Sequence, residues 1–260
     1  APVFTMKREF ACGDPADQVF DVRVAAPGGA DASGYLRIPR GAAAGSLPIR
    51  VIFRGYGVSS ADVPPKAEAI SLSLNQMGTE NGHPQSYYDA LRAEKYENFG
   101  FGAAENASPA TCELKYLLLR AVQAVRALKT MPEWNGRDVI LTGGSMGAFQ
   151  AVFAAAAEPG ATNLELFIPW MCDLAGAGAG RLRGWRPDGA AMPYYDTVSF
   201  ARRVTAPVTI TAGLGDDVCP ASGIAALYNA FSTRKSLFMV QDRTHAAAGV
   251  GASGTCLADL

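Results

Sequence analysis

Three polar side chains have the types and the chain order that nucleophilic hydrolysis requires. Ser145 lies in a Gly-x-Ser-x-Gly pattern, Gly143 to Gly147, between an apolar run and an alanine-rich run. A strand, a tight turn and a helix in that order form a nucleophile elbow, which projects the serine hydroxyl above the sheet. Glycines suit this turn because side chains there would clash with the helix or block the substrate. The pattern therefore predicts that Ser145 attacks a carbonyl carbon.

The order of the chain restricts the partners of Ser145. In the α/β-hydrolase fold, the nucleophile is followed by Asp or Glu and then by His, each after a strand. The chain has two histidines, and only His245 follows Ser145. Asp216 is the preferred acid, and its neighbour Asp217 stays as the alternative, because both follow a predicted strand. Three other aspartates are less well placed: Asp173, Asp196 and Asp242.

A second glycine-rich turn fits the site that binds the oxyanion. Arg54-Gly55-Tyr56-Gly57 follows an apolar run that ends at Phe53. In this fold, a loop after an early strand supplies one backbone N–H group, and the residue after the nucleophile supplies the other. The expected donors are the N–H groups of Tyr56 and Met146. This chemistry needs no metal and no organic cofactor, and two histidines without a Cys-x-x-Cys pair give a zinc site little support.

Several polar and aromatic side chains are candidates for substrate binding. For a loop histidine the simpler interpretation is a hydrogen-bonded surface group, and for the aromatic residues it is local packing. The alternative for the aromatic residues is stacking on a sugar ring. The candidates are Arg54, His83, Trp185, Tyr194 and Tyr195.

The elements that must position these side chains alternate along the chain. Short apolar runs predict strands at Gln18–Val24, Gly34–Pro39, Pro48–Phe53, Ala69–Leu74, Asp138–Leu141, Asn163–Trp170, Ala206–Leu214 and Ser236–Val240. Apolar residues at helical spacing predict helices at Ser86–Ala93, Cys112–Met131, Phe149–Ala157 and Gly223–Phe231.

This alternation indicates a mostly parallel sheet with helices on both faces and a small N-terminal β-ribbon. Together with the nucleophile elbow and the order Ser, Asp, His, it predicts an α/β-hydrolase fold. We expect one domain over residues 1–260. It carries an N-terminal β extension at 1–45 and a short insertion near the active site at 174–195.

Composition excludes several classes of partner. The net charge of −1, without blocks of like charge, argues against nucleic acid and against an anionic membrane surface. No apolar run approaches the roughly 20 residues that span a bilayer. The chain begins with Ala1-Pro2 rather than Met, so we expect that a leading segment was removed. If that segment was a signal peptide, the protein is periplasmic or secreted; the sequence leaves the compartment open.

Eight segments in one order resemble a known family, the acetyl xylan esterases and cephalosporin C deacetylases of carbohydrate esterase family 7. The segments are Arg54–Gly57, Leu119–Arg126, Met131–Gly136, Gly143–Gly147, Ile168–Asp173, Tyr195–Ala201, Gly213–Pro220 and Ala226–Asn229, followed by His245. The resemblance implies that Ser145 is the nucleophile and His245 the base, and it selects Asp216 over Asp217.

The chain departs from this family at several positions. Met146 replaces the usual glutamine after the nucleophile, Ala221 replaces a proline, and Ala246 replaces the glutamate after the histidine. The chain is also short for the family, which leaves the family's hexameric assembly, and therefore the oligomeric state, open. Cys172 and Cys219 either form a disulfide or remain as two buried thiols.

The resemblance implies a serine esterase that removes acetyl groups from xylan or other sugars through an acyl-enzyme. Its partner would be an acylated carbohydrate. One alternative is another serine hydrolase, such as a feruloyl esterase or a peptidase of the prolyl oligopeptidase type. Another alternative is a carbohydrate-binding relative without catalysis.

Overall fold

A single sheet forms the centre of the computed structural model, which describes residues 4–10, 15–28, 31–75, 77–94, 104–245 and 255–256. Within these residues the strands are Phe4–Phe10 (β1), Asp17–Val24 (β2), Ala32–Pro39 (β3), Leu47–Phe53 (β4), Ile70–Asn75 (β5), Trp134–Gly144 (β6), Asn163–Phe167 (β7), Val208–Gly213 (β8), Lys235–Val240 (β9) and Thr255–Cys256 (β10). Their order across the sheet is β1-β2-β3-β5-β4-β6-β7-β8-β9-β10.

The middle of the sheet is parallel, and its two sides are antiparallel. Strands β5, β4, β6, β7, β8 and β9 pair in parallel, whereas β1, β2, β3 and β5 pair antiparallel, as do β9 and β10. Parallel strands deliver their carboxyl ends to one edge of the sheet, where loops are free to carry function. The loops that hold Tyr56, Ser145, Asp216 and His245 all leave from this edge.

The helices supply the apolar layer against the sheet. In the described residues they are Gln85–Glu94 (α1), Glu113–Leu128 (α2), Met146–Ala157 (α3), Thr197–Ala201 (α4) and Ala221–Ala230 (α5). Helix α2 buries the stripe of leucine, valine and alanine side chains that its spacing predicts, and it contacts α3. Helix α3 has almost no polar face, because it packs beneath the centre of the sheet between α2 and α4.

Most predicted elements are present, with shifted bounds. The N-terminal ribbon is formed by β2 and β3, and it is continuous with the main sheet through the pairing of β3 with β5. Strand β6 begins at Trp134 rather than Asp138. The strand predicted to reach Trp170 ends at Phe167, because Ile168 has a φ of 42° that breaks the extended conformation.

Two further findings concern the loops and the helices. The glycine-rich run after Leu174, predicted as a flexible loop, contains a short 3-10 turn at Gly176–Ala179.

Residues 76 and 95–103 of the predicted loop Asn75–Ala110, and most of the tail after Gly249, lie outside the described residues. No helix in the described part of the chain has both the length and the apolar character needed to cross a bilayer.

Candidate active site

Ser145 occupies the sharp turn between β6 and α3. Its φ of 54° and ψ of −119° are unfavourable for a residue with a side chain, and such strain persists only where the surroundings enforce it. Two neighbours enforce it here. The Ser145 N–H donates to the Phe167 carbonyl at 2.8 Å, and the Ser145 carbonyl accepts from the N–H of Ala148 at 3.0 Å. The turn is therefore held by backbone hydrogen bonds to β7 and within α3.

Two glycines allow the turn to pack against β4. A Cβ atom at Gly147 would lie 2.0 Å from the Phe53 carbonyl oxygen, and one at Gly143 would lie 2.4 Å from the Gly147 carbonyl carbon. No side chain fits at such distances, so glycine at both positions is a steric requirement. The structure thus shows the steric clash that we expected for any side chain at these two positions.

Asp216 and His245 meet above the ends of β8 and β9. The His245 Nδ1 lies 3.0 Å from Oδ2 and 3.2 Å from Oδ1 of Asp216. The Asp216 side chain is completely buried, and its Oδ1 also accepts from the N–H groups of Val218 at 2.9 Å and Cys219 at 2.7 Å. These donors fix the carboxylate, so that it can orient the imidazole ring.

The other candidate acids are positioned differently. Asp217 is exposed, so the structure brings Asp216 and not Asp217 against His245. Asp173 pairs with Arg181 at 2.5 Å. Asp196 accepts from the N–H of Val198 at 3.0 Å and so caps the start of α4. Asp173 and Asp196 therefore bind other partners and not the imidazole of His245.

Ser145 and His245 line one cavity of about 360 Å³. Its remaining walls come from the loops at the carboxyl edge: Tyr56, Met146, Trp170, Trp185 and Val218. This is a volume in the range of small-ligand pockets, which are mostly apolar with a few convergent polar groups. A carbonyl carbon bound here can meet both the hydroxyl and the imidazole.

Cys219 lies unexpectedly close to the serine, with its Sγ 3.9 Å from Ser145 Oγ. Burial, and then the nearby charge of Asp216, raise the pKa of this thiol well above its usual value. The thiol therefore stays protonated at neutral pH and is a poor competitor to Ser145 as nucleophile. The sequence pointed to Cys219 as a possible partner of Cys172 but not as a neighbour of Ser145.

Cys172 and Cys219 are both free thiols, so of the two predicted alternatives the structure has the reduced pair. Burial raises the pKa of Cys172 well above its usual value. The ligand atoms of Asp216, Cys219 and His245 lie within 4.8 Å of one another, a spacing that could hold a metal ion. The carboxylate already bonds to the imidazole, however, and a metal would have to displace the buried thiol proton.

The expected oxyanion donors flank the same cavity. Met146 is the first residue of α3, where N–H groups have no partner within the helix and the helix dipole favours negative charge. Its side chain is buried, and the Tyr56 side chain is 42% exposed. Burial of the phenol raises the pKa of Tyr56, although Arg92 opposes this shift. That Tyr56 and Met146 donate to an oxyanion stays a prediction.

The five candidate substrate contacts have different surroundings. Trp185 lines the cavity and stacks on Trp170, with ring centroids 5.7 Å apart and planes at 21°. Trp170 was not singled out from the sequence, because an aromatic residue at a strand end resembles ordinary core. Its indole N–H donates to the Trp185 carbonyl at 2.8 Å, which ties the 174–195 segment to the cavity wall.

The other four do not line this cavity. His83 stacks on Tyr87 at 4.0 Å and pairs with Glu80 at 3.2 Å. Tyr194 is 68% exposed. Tyr195 is buried, its hydroxyl donates to the Pro109 carbonyl at 2.8 Å, and burial raises its pKa to about 12. Arg54 lines a separate cavity beside the first.

Comparisons with known proteins agree with this geometry. Residues 190–253, which include Asp216 and His245, match the family model "Acetyl xylan esterase (AXE1)". The acetyl esterase Axe7A of Xylanibacter ruminicola is 26% identical over 231 residues, which cover 82% of this chain and 52% of that protein. The chain thus spans about half the length of this curated relative.

Solved structures extend the likeness to nearly the whole chain. The acetyl xylan esterase from Paenibacillus sp. R4 superposes with a TM-score of 0.73 at 19% identity, covering 94% of this chain and 83% of that one. The chain is thus similar to acetyl xylan esterases in the sequence of its C-terminal part and in its fold. Acetyl xylan esterase 1 from Thermoanaerobacterium sp. JW/SL YS485 matches with a TM-score of 0.71 at 17% identity and the same coverage. The predicted α/β-hydrolase fold and family resemblance are confirmed.

Proposed function

We propose that this acetyl xylan esterase relative is a serine esterase that removes acetyl groups from xylan or xylo-oligosaccharides. One observation carries the proposal: Ser145, in its strained turn, and His245, hydrogen-bonded to the buried Asp216, line the same cavity. The names of the similar proteins support an acetyl ester as substrate. A tryptophan pair beside the serine suits the apolar face of a sugar ring.

The mechanism follows from the positions of the three side chains. Ser145 Oγ attacks the acetyl carbonyl while the free imidazole nitrogen of His245 takes its proton. Asp216, hydrogen-bonded to Nδ1, holds the ring in the tautomer with its lone pair toward the serine and stabilises the imidazolium that forms. The bond from the acyl carbon to the sugar oxygen then breaks, the proton passes to that oxygen, and the acetyl group remains on Ser145 as an ester.

The second half of the cycle repeats these roles with water. His245 deprotonates a water molecule that attacks the acyl-enzyme, and the proton returns to Ser145 as acetate leaves. In both halves, the N–H groups of Tyr56 and Met146 stabilise the negative oxygen. Losing one such donor typically costs about 10²- to 10³-fold in turnover.

Two other functions are alternatives to this esterase activity: peptide hydrolysis and carbohydrate binding without catalysis. A prolyl endopeptidase superposes with a TM-score of 0.63 at 14% identity, but this chain covers only 36% of it. That likeness supports the shared fold and leaves amide hydrolysis without support of its own. Binding of carbohydrate without catalysis would leave the Asp–His pair and the serine turn without a use.

A panel of esters tests the proposal. Rates on acetyl, butyryl and feruloyl esters of nitrophenol should fall from acetyl onward, and acetylated xylo-oligosaccharides should release acetate. The Ser145→Ala variant should release none, and a fluorophosphonate probe should label wild type but not this variant. Cleavage of feruloyl esters or peptides with acetylated sugars untouched would overturn the proposal. Absence of both turnover and labelling would favour a binding protein.

A further inference from the structure

A second cavity of about 270 Å³ lies against the loop that also borders the serine pocket. Tyr56 lines both cavities, and Gly55 lines the second. An added Cβ at Gly55 would lie 3.9 Å from the Ser145 Cβ, so the second cavity begins directly beside the nucleophile. A substrate that fills the serine pocket and continues past Tyr56 would enter it.

The walls of the second cavity combine polar and apolar groups. Arg54 Nε lies 3.4 Å from Asp62 Oδ2, and Arg54 also donates to the Ser59 hydroxyl at 3.0 Å. The Asp62 side chain is 86% exposed and free to accept from a ligand. The apolar part consists of Ile52, Tyr56, Val63, Pro64 and Pro65.

This set of groups favours a neutral sugar over a charged ligand. Arginine donates and carboxylate only accepts, so together they match hydroxyl groups, which do both. Because Arg54 is already paired with Asp62, the cavity offers no uncompensated positive charge to an anionic ligand. The aromatic and proline surfaces suit the C–H face of a pyranose ring.

We propose that this cavity is a glycosyl subsite, which binds the sugar unit next to the acetylated one. This inference rests on the proposed function and adds that the preferred substrate is an oligosaccharide rather than a single acetylated sugar. The subsite should contribute to activity only when the substrate is long enough to reach beyond Tyr56.

Substitution of the exposed acid tests the subsite. Asp62→Ala should lower kcat/KM on acetylated xylo-oligosaccharides at least about fivefold, the scale of one hydrogen bond at an exposed site. Its rate on nitrophenyl acetate should stay within twofold of wild type, as roughly expected of a surface change. Asp62→Asn keeps an accepting oxygen and should recover part of the loss. Asp188→Ala is the matched control, because Asp188 is 93% exposed and also pairs with an arginine.

Binding without turnover separates this inference from the proposed function. In a Ser145→Ala background, xylotetraose without acetyl groups should bind more weakly to the Asp62→Ala chain than to the Asp188→Ala chain by calorimetry. Equal affinities, or equal kcat/KM values on oligosaccharides, would overturn the subsite even if acetate release is observed. Failure of wild type to release acetate would instead overturn the proposed function.

A buried amide carries a second inference independently. The Gln150 side chain is fully buried on α3, and its Nε2 donates to the Arg54 carbonyl at 3.1 Å and the Met146 carbonyl at 3.2 Å. Both amide protons are thus used. Its Oε1 is buried and has no partner among the described residues, which is costly.

The two acceptors belong to the two segments that carry the expected oxyanion donors. Arg54 lies two residues before Tyr56, and Met146 is itself one of the donors. We infer that Gln150 is a positioning residue, which holds the Tyr56 loop at a fixed distance from the start of α3. An apolar side chain of similar size would avoid the stranded oxygen but would lose this link.

Gln150→Leu tests the link. Its kcat on nitrophenyl acetate should fall by about 10-fold or more with KM little changed, because the loss falls on the transition state. Phenylboronic acid, whose serine adduct places an oxygen against the same donors, should bind correspondingly weaker. Gln123→Leu on α2 is the matched control, since it also removes a buried amide oxygen without a partner in the described residues. A lowered melting temperature with kcat unchanged would overturn the inference.

Discussion

The serine and the histidine are held at the same edge of the sheet by different means. Ser145 is positioned by the backbone: its N–H and carbonyl are both bonded, and glycines let β4 pack against the turn. His245 is positioned by a side chain: Asp216 holds its ring, and 29% of the imidazole remains exposed. We therefore expect the proposed nucleophile to be sensitive to added bulk around it, and the proposed base to be sensitive to the chemistry of one carboxylate.

The largest expected effects come from removing either reacting group. Ser145→Ala and His245→Ala should each lower kcat on nitrophenyl acetate by about 10⁴- to 10⁶-fold, because neither proton transfer nor attack proceeds alone. The double variant should be little worse than either single one. Steady-state rates at high enzyme concentration measure this. Losses that multiply would mean that the two residues act separately.

The next effect isolates the carboxylate. Asp216→Asn should lower kcat by about 10⁴-fold, because the amide favours the wrong imidazole tautomer while leaving the shape unchanged. Asp217→Asn should stay within about threefold, as exposed substitutions usually do. Rates of both variants on one ester make the comparison. The reverse order of losses would transfer the role to Asp217.

Bulk at the turn should act on stability as well as on rate. Gly147→Ala places a Cβ 2.0 Å from the Phe53 oxygen and should cost at least about 3 kcal/mol of unfolding free energy. Gly144→Ala is the control, because its nearest contact is an ordinary 3.8 Å to Phe167. Denaturant titrations give both values. Similar stabilities for the two variants would show that the turn yields more readily than its geometry indicates.

Removing the Cys219 thiol should have only a small effect, although this side chain lies close to both Ser145 and Asp216. Cys219→Ala should keep kcat within about tenfold, since its backbone N–H still reaches Asp216 and its neutral thiol takes no part in the reaction. In wild type, burial keeps the pKa of the thiol high, so iodoacetamide at pH 8 should react slowly until the chain is unfolded. Mass spectrometry of the Cys219 peptide measures the rate. Rapid alkylation of the folded protein would indicate a reactive thiolate.

The backbone-held region was easier to predict from sequence than the side-chain-held one. The Gly-x-Ser-x-Gly pattern is local, and the apolar run and helix around it follow from residue spacing, so the turn was predicted with its geometry. The order Ser, Asp, His left His245 as the only base but left two aspartates open. Burial decides which aspartate meets the imidazole, and burial depends on how β8 and β9 pack.

The sequence pattern did not predict contacts between side chains that are far apart in the chain. Trp170 and Trp185 lie 15 residues apart in the segment that connects β7 to β8, and they stack only because this segment folds back on itself. Tyr195, one residue from the exposed Tyr194, turns inward to Pro109, and His83 stacks on Tyr87. Adjacent aromatic residues in a loop have no periodicity that tells which one faces the core. The sequence therefore predicts substrate contacts at His83, Tyr194 and Tyr195 as well as at Trp185.

The tryptophan stack also gives the molecule a built-in optical reporter. Of the three tryptophans in the chain, two form the stack at the pocket, and Trp134 lies at the start of β6, at the opposite end of that strand from Ser145. A sugar that displaces water from the stacked pair would change their emission and leave that of Trp134 nearly constant. Intrinsic fluorescence can therefore follow occupancy of the pocket in the unlabelled protein.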